Sequence, residues 1–446
     1  MERPVRPVEG FGGDPRRRSR DVPSHRPHHR RSRGRRHGRR HDRPARHRRR
    51  EPGGERVRPG GRRARARARA RPAGEPGVRD APRRPDGGGR APAAGGRGLR
   101  RRARPVRGGR LPARLPDGRR ARRPTTASGL LVLPRNGDRR LRTVSYTHGT
   151  TSYKPDAPSV ADDAWARGPA VTFGAAGFAA VAPDYLGLGE GPGVHPWKHV
   201  PSETSAALDM LRAARAFAPR RGRVLERDVL VTGFSQGASS ALGLARALQE
   251  GADPRFRVRA AAPISGAYDF RGSELPALLN GEVVPKIGVA YTSYLLTSWN
   301  RIFGGVYRDP SELFRDPYAG RVEKFFDGTT PGPVMLQGLP GTLDELLTPR
   351  GLDLLRNPSG AFAEGLRVDG EVCTAWTPRV PVRLYKMDGD EQAVTANTTA
   401  CAAAFRDRGA RVRVVDVDDR LHEGSRHLGS NTAATGMVAD WFAGLR

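Results

Sequence analysis

From residue 125 to residue 446 the sequence predicts an α/β domain: a mainly parallel central sheet with helices on both faces. Three observations predict it. Apolar runs of strand length alternate with helical patterns of about 10 to 15 residues, the rhythm of a parallel sheet joined by crossover helices. The central run, "DVLVTGF" at 228–234, is β-branched and lacks polar alternation, as a strand buried on both faces does. The composition also changes near residue 124, which marks where the foldable part begins.

The elements follow in order. "ASGLLVLP" reads as a strand ending at Pro134, and "LRTVSYTHGT" as a second strand running into a loop. "VTFGAAGFAAVAPDYLGLG" gives a short helix, a glycine turn and a strand from Phe178 to Pro183. "SETSAALDMLRAARAF" is helical, with Leu208, Leu211, Ala214 and Phe217 near one face. "DVLVTGF" is followed by the helix "ASSALGLARALQ", and "VRAAAPISGAYDF" is the next strand. After a long interruption come the strand "VPVRLYKMD", the helix "ANTTACAAAFRDRG" ending at Gly409, the strand "RVRVVDV" and a last helix over about 431–444. The interruption, 271–375, holds apolar and aromatic helical patches separated by Pro and Gly. A structureless loop of that length is implausible in a compact domain, so a helical insertion is expected. Placed over the carboxyl edge of a parallel sheet, it would cap the crevice where ligands bind; a helical subdomain remote from the chemistry is the alternative.

Residues 1–124 are of another kind. They contain 43 Arg, no Lys and 11 Asp or Glu, a net charge of +32 out of +34 for the whole chain. With one aromatic residue, Phe11, and no Ile, this segment has too little to bury to offset its ordering entropy, and disorder is expected. A basic arm for nucleic acid or another anionic polymer is one reading. No aromatic platform or nucleic-acid module accompanies the charge, so a nucleic-acid partner is not expected. An alphabet of Arg, Pro, Gly, Ala and His is also what a GC-rich gene yields when read from a wrong start or frame, and that origin is the preferred expectation. No signal peptide is visible, and no apolar run is long enough to span a membrane. The two cysteines, Cys373 and Cys401, sit with no metal-ligand partner at usual spacing; unpaired packing residues are expected rather than a disulfide.

The chemistry centres on Gly233-Phe234-Ser235-Gln236-Gly237, a G-x-S-x-G sequence between a strand and a helix of small residues. A serine hydroxyl is a poor nucleophile and must project from a sharp turn towards a base. Small flanking residues permit that turn, and the N–H of Gln236 can then face a developing oxyanion. An acid and a base should follow in that order. "PVRLYKMDGDEQAV" ends a strand in a turn holding Asp388, Asp390 and Glu391, for each of which a solvated turn residue is the alternative. "VVDVDDRLHEGSRHLGSN" then offers His422 and His427, two of only five histidines beyond residue 124. Upstream, His148-Gly149-Thr150 follows a strand. A backbone N–H there, at Thr150, would be a second oxyanion donor, with His148 orienting the loop rather than acting as a base.

With these motifs in place, the chain from residue 125 onward resembles an α/β-hydrolase, and within that superfamily it is similar to the bacterial and fungal secretory lipase and esterase group. "ASGLLVLP", "SYTHGT", "VAPDYLGLG", "LDMLRAAR", "GFSQGA", "APISGAYD", an inserted lid, "PVRLYKMDGDE" and a late histidine before "WF" occur in that group's order. The resemblance implies Ser235 as nucleophile. It implies Asp390 as acid, five residues after the strand residue Tyr385, and His427 as base in "HLGSN", with His422 as the alternative. Asp184, Tyr185, Gly187 and Gly189 match a structural turn. The acid turn departs from the group's pattern, with Val394 four residues after Asp390 and no proline following.

The expected activity is hydrolysis of a small-molecule or lipid ester through an acyl-enzyme, with no metal or organic cofactor. Peptidase or acyltransferase action on the same fold stays open, and the resemblance implies a secreted or cell-envelope location, with the cytoplasm as the alternative. Tyr291, Tyr294, Leu295, Trp299 and Phe303 are expected either to line an apolar acyl pocket or to form the core of the insertion.

Overall fold

The computed structural model describes residues 125–445. The basic segment 1–124, with its expected disorder and the anionic-polymer reading, lies outside the described residues. Seven strands form one sheet: β1 (Gly129–Val132), β2 (Arg140–Thr147), β3 (Ala179–Pro183), β4 (Val224–Phe234), β5 (Arg257–Ile264), β6 (Val382–Lys386) and β7 (Val412–Asp416). Their order is β1-β3-β2-β4-β5-β6-β7. Every neighbouring pair is parallel except β1 with β3, where Gly129 stands opposite Pro183 and Leu131 opposite Val181.

The inner strands are covered on both faces because their side chains alternate between two apolar layers. Val229 and Val231 of β4, with Ala261 of β5 and Leu384 of β6, point into a layer shared with α2 (Val200–Phe217) and α3 (Gln236–Gln249). Leu230, Phe234, Ala260, Ala262 and Tyr385 point the other way, against α1 (Ala164–Ala175) and the final helix. In α2, Leu208, Leu211 and Ala214 are buried and Phe217 packs at the margin of the same layer, the face predicted from their spacing.

Between β5 and β6 the chain leaves the sheet and runs through α4 (Leu275–Leu279), α5 (Pro285–Phe303), α6 (Val322–Phe325), α7 (Gly332–Gly338), α8 (Leu343–Leu346), α9 (Pro349–Arg356) and α10 (Gly360–Thr374). These helices enclose an apolar core of their own. After β6 comes α11 (Ala396–Asp407), and after β7 comes α12 (Arg426–Gly444), which begins five residues before the position expected from its apolar pattern. Ser425 caps it by accepting the Leu428 N–H at 3.1 Å, so the first turn forms on polar residues that periodicity alone does not reveal.

The cysteines overturn the sequence expectation. Cys373, near the end of α10, is disulfide-bonded to Cys401 in α11, with Cα atoms 5.2 Å apart. Their 28-residue separation carried no sign of this proximity; the packing of α10 on α11 creates it. Among the described residues no helix is long and apolar enough to cross a membrane.

Candidate active site

The sharp turn between β4 and α3 is built by close approach. A Cβ on Gly237 would lie 2.0 Å from the carbonyl oxygen of Thr147, and one on Gly233 would lie 2.1 Å from Thr147 Oγ1. Glycine is therefore required at both positions, and β2 can lie against the turn. Thr147 Oγ1 donates to Gly237 O at 2.7 Å, and the Ser235 N–H donates to Ile264 O at 2.9 Å on β5. Between these ties Ser235 adopts φ +55°, ψ −120°, a strained conformation for a residue with a side chain. The strain aims Oγ out of the sheet edge.

What it meets is a histidine and a carboxylate. His427, in the first turn of α12, has Nε2 2.9 Å from Ser235 Oγ. Its Nδ1 lies 2.9 Å from both Oδ1 and Oδ2 of Asp390, in the turn after β6. Asp390 Oδ1 in turn accepts the backbone N–H groups of Gln392 (3.0 Å) and Ala393 (2.9 Å). All three side chains are buried. Burial of His427 works against its charged form, but the Asp390 carboxylate beside it, aided by Glu391 and Glu274, prevails and raises its pKa above the ordinary value.

Several further residues hold this line, and of these only Glu391, as a possible acid, was singled out in the sequence. Glu391 accepts the Ser425 hydroxyl and the Arg426 N–H (3.1 Å), so the residue after Asp390 anchors the helix that carries His427. Gln392 Nε2 donates to Ser425 Oγ at 3.1 Å. Just after β5, Ser265 Oγ donates to Ser430 Oγ at 2.7 Å, and Ser430 Oγ donates to His427 O at 2.7 Å. The Ser425 cap and the Ser430–His427 bond are local, within three residues; the other contacts span 33 to 165 residues.

The remaining candidates fall in separate places. His422 stacks on Trp165, with ring centroids 4.9 Å apart, and its backbone closes a tight turn with Ser425. It is not the histidine at Ser235. Asp388 is held by Lys386 at 2.5 Å and is exposed. His148 is buried with its ring 4.4 Å from that of Tyr185, and its Nδ1 is 2.7 Å from Gly149 O. Burial lowers its pKa, which suits an orienting part of the loop. Asp184 is fully buried among Ser128, which donates to it at 2.5 Å, and the N–H (2.9 Å) and hydroxyl of Ser159. Gln236 opens α3, where first-turn N–H groups lack intrahelical acceptors. Thr150 lies in the loop after β2, its Oγ1 accepting the Trp197 indole N–H at 3.1 Å.

The five aromatic and aliphatic residues of the insertion divide. Tyr294, Leu295 and Trp299 are buried in the insertion's own core, with Trp299 packed against Phe362 at 5.6 Å between ring centroids. Tyr291 and Phe303 pack at its margin.

A serine and an aspartate from two turns and a histidine from the first turn of α12 thus converge at the carboxyl edge of a mainly parallel sheet. This chain has the α/β-hydrolase fold and is similar to lipases and esterases. The fold is similar to that of the rice cell wall degrading esterase LipA from Xanthomonas oryzae, with 26% identity over 73% of this chain and 88% of that one and a TM-score of 0.62. A protein of Legionella pneumophila assigned as a hydrolase is 25% identical over 72% of this chain and 84% of its own, with a TM-score of 0.64. Candida antarctica lipase A in its closed state shares the fold at 14% identity, covering 71% and 76% of the two chains, with a TM-score of 0.52. No protein-family model and no curated protein matches the sequence. Among the described residues of this α/β-hydrolase, no group of three or more His, Cys, Asp and Glu side chains is arranged to hold a metal ion.

Proposed function

We propose that the chain is a serine carboxylic-ester hydrolase acting through an acyl-enzyme. The observation that carries the reading is the unbroken line from Asp390 through His427 to Ser235, with 2.9 Å at each junction. With its Nδ1–H held by the carboxylate, His427 presents an unprotonated Nε2 to the serine. It takes the Oγ proton as Oγ attacks the ester carbonyl carbon. The carbonyl oxygen becomes an oxyanion facing the backbone N–H groups of Gln236 and Thr150. Collapse breaks the ester C–O bond, and His427 returns its proton to the departing alkoxide, releasing an alcohol. Water, deprotonated by the same imidazole, then attacks the acyl-enzyme; the carboxylic acid leaves and Ser235 recovers its proton.

Residues 271–375 serve as the cap of this site. Tyr291 in α5 donates its hydroxyl to Gln392 Oε1 at 2.8 Å, next to the acid turn, and the Tyr294 hydroxyl reaches Thr151 O at 3.4 Å beside the proposed oxyanion loop. A cap rich in aromatic and aliphatic residues suits an apolar small-molecule or lipid ester. The Cys373–Cys401 disulfide supports work in an oxidising, extracytoplasmic compartment.

The test is hydrolysis of p-nitrophenyl esters of increasing acyl length, beside aminoacyl amides, by the full chain and by Ser235→Ala. The wild type should cleave esters in preference to amides, and the variant should keep its far-ultraviolet spectrum while losing turnover by about 10⁵-fold or more. Retained turnover in the variant sinks the mechanism.

A further inference from the structure

The stretch "HPWKHVPSE", residues 195–203, carries three buried contacts that the reaction as written does not use. Gln236 Nε2 donates one hydrogen to Glu203 Oε1 at 2.7 Å and the other to His195 Nε2 at 2.8 Å. His195 can accept because its Nδ1–H faces Leu186 O at 3.0 Å, and because burial holds its pKa down to about 3, leaving the ring neutral. Two residues along, the Trp197 indole N–H donates to Thr150 Oγ1 at 3.1 Å. One short segment therefore grips the side chains of both residues whose backbone N–H groups face the proposed oxyanion.

The two grips are also joined to each other. The ring of Tyr185 stacks on that of His195 at 5.3 Å, and its hydroxyl donates to His148 O at 3.0 Å, one residue before Gly149 and Thr150. Glu203, His195 and Gln236 are each no more than 3% exposed. Burial pushes the Glu203 carboxyl up to about 7, against the Gln236 hydrogen bond and the charge of Lys198. Such a costly placement is explained if the carboxyl has a task at Gln236. The segment is fastened to the cap as well. Trp197 stacks face to face on Tyr294 of α5 at 4.6 Å, Ser298 Oγ donates to Trp197 O at 3.0 Å, and Lys198 pairs with Asp369 of α10 at 2.8 Å.

We infer that residues 195–203 are the positioning element of the oxyanion hole, with Glu203 and His195 setting the direction of the Gln236 N–H and Trp197 that of Thr150. This rests on the esterase reading above. None of the three touches substrate. They act by keeping two N–H donors fixed while charge develops on the carbonyl oxygen, which is where preorganised dipoles matter most. Loosening them should weaken the transition state and leave ground-state binding nearly unchanged.

The experiment uses the full chain with p-nitrophenyl butyrate, and a fluorophosphonate probe to report Ser235 reactivity. Trp197→Phe keeps a ring against Tyr294 and removes the N–H; Glu203→Leu removes the acceptor; Glu203→Gln keeps an acceptor oxygen. Losing an oxyanion donor outright costs about 10²- to 10³-fold in kcat, so loosening one should cost roughly 10-fold or more. Trp197→Phe and Glu203→Leu should show that loss with KM within about 2-fold of wild type, while Glu203→Gln recovers kcat to within about 3-fold. If Glu203→Leu does not fold, Trp197→Phe decides. Unchanged kcat in Trp197→Phe, or a rise in KM alone, overturns the inference while probe labelling of the wild type leaves the esterase reading standing. A wild type that neither takes the probe nor cleaves the ester overturns that reading and the inference with it.

Discussion

Asp390 and His427 lie 37 residues apart in sequence, and both oxygens of the carboxylate stand 2.9 Å from His427 Nδ1. A two-oxygen grip holds the ring plane as well as the tautomer, so the nitrogen facing Ser235 is the basic one. Asp390→Asn keeps an oxygen for the Gln392 and Ala393 N–H groups but can present an amide N–H to the ring, favouring the wrong tautomer. Ester turnover should fall by about 10⁴-fold with little change in thermal midpoint. A loss of less than tenfold rejects Asp390 as the orienting acid.

His422 in the β7–α12 connection and His427 in the first turn of α12 make a paired test. The His422 ring stacks on Trp165, whereas His427 Nε2 is 2.9 Å from the Ser235 hydroxyl. His422→Ala should keep kcat within about 3-fold of wild type, and His427→Ala should lower it by about 10⁵-fold or more. The reverse result would reassign the base.

A base must be neutral to accept the serine proton, and the carboxylates around His427 favour its charged form. The acidic limb of kcat/KM should therefore have its midpoint above the ordinary histidine value of about 6.5, with activity rising as pH rises through it. Glu391→Gln removes one of the raising charges and should move that midpoint down. The stability term has the opposite course. A raised folded pKa contributes fully below about 6.5 and is lost as pH rises through the folded value. A midpoint in Glu391→Gln equal to or above that of the wild type counts against this electrostatic account.

The disulfide closes a loop of 28 residues between α10 and α11. Loop-closure entropy puts its contribution at about 3–4 kcal/mol. The Cys373→Ser, Cys401→Ser double variant should lose that much unfolding free energy and unfold at a lower denaturant concentration, and wild type in reductant should match it. Equal stability with and without reductant would show that the bridge does not constrain the chain in solution.

Sequence patterns were most informative where the physics is local. Strand and helix order, the paired glycines about Ser235 and the helical insertion were legible because periodicity and steric demand operate over a few residues. Ser235 could be singled out from five residues in the context of a strand and a helix. The nucleophile motif set the order of acid before base, and the resemblance then selected Asp390 and His427, whose side chains stand in line with Ser235. The start of α12 was misplaced by five residues because its first turn is polar and held by Ser425 and Glu391 rather than by an apolar stripe.

By itself, then, the sequence determined the α/β rhythm, the insertion between β5 and β6, and the nucleophile turn, since each follows from side-chain periodicity or from a missing Cβ. Only the tertiary structure decided that Cys373 meets Cys401 and that His422 faces Trp165 instead of Ser235. It also decided that Tyr294, Leu295 and Trp299 belong to the core of the insertion, and that Glu203 and His195 hold Gln236. Those outcomes depend on which helices pack together and on burial that separates a buried carboxyl from a solvated one. Contacts between residues tens to hundreds of positions apart leave no periodic trace in a single chain.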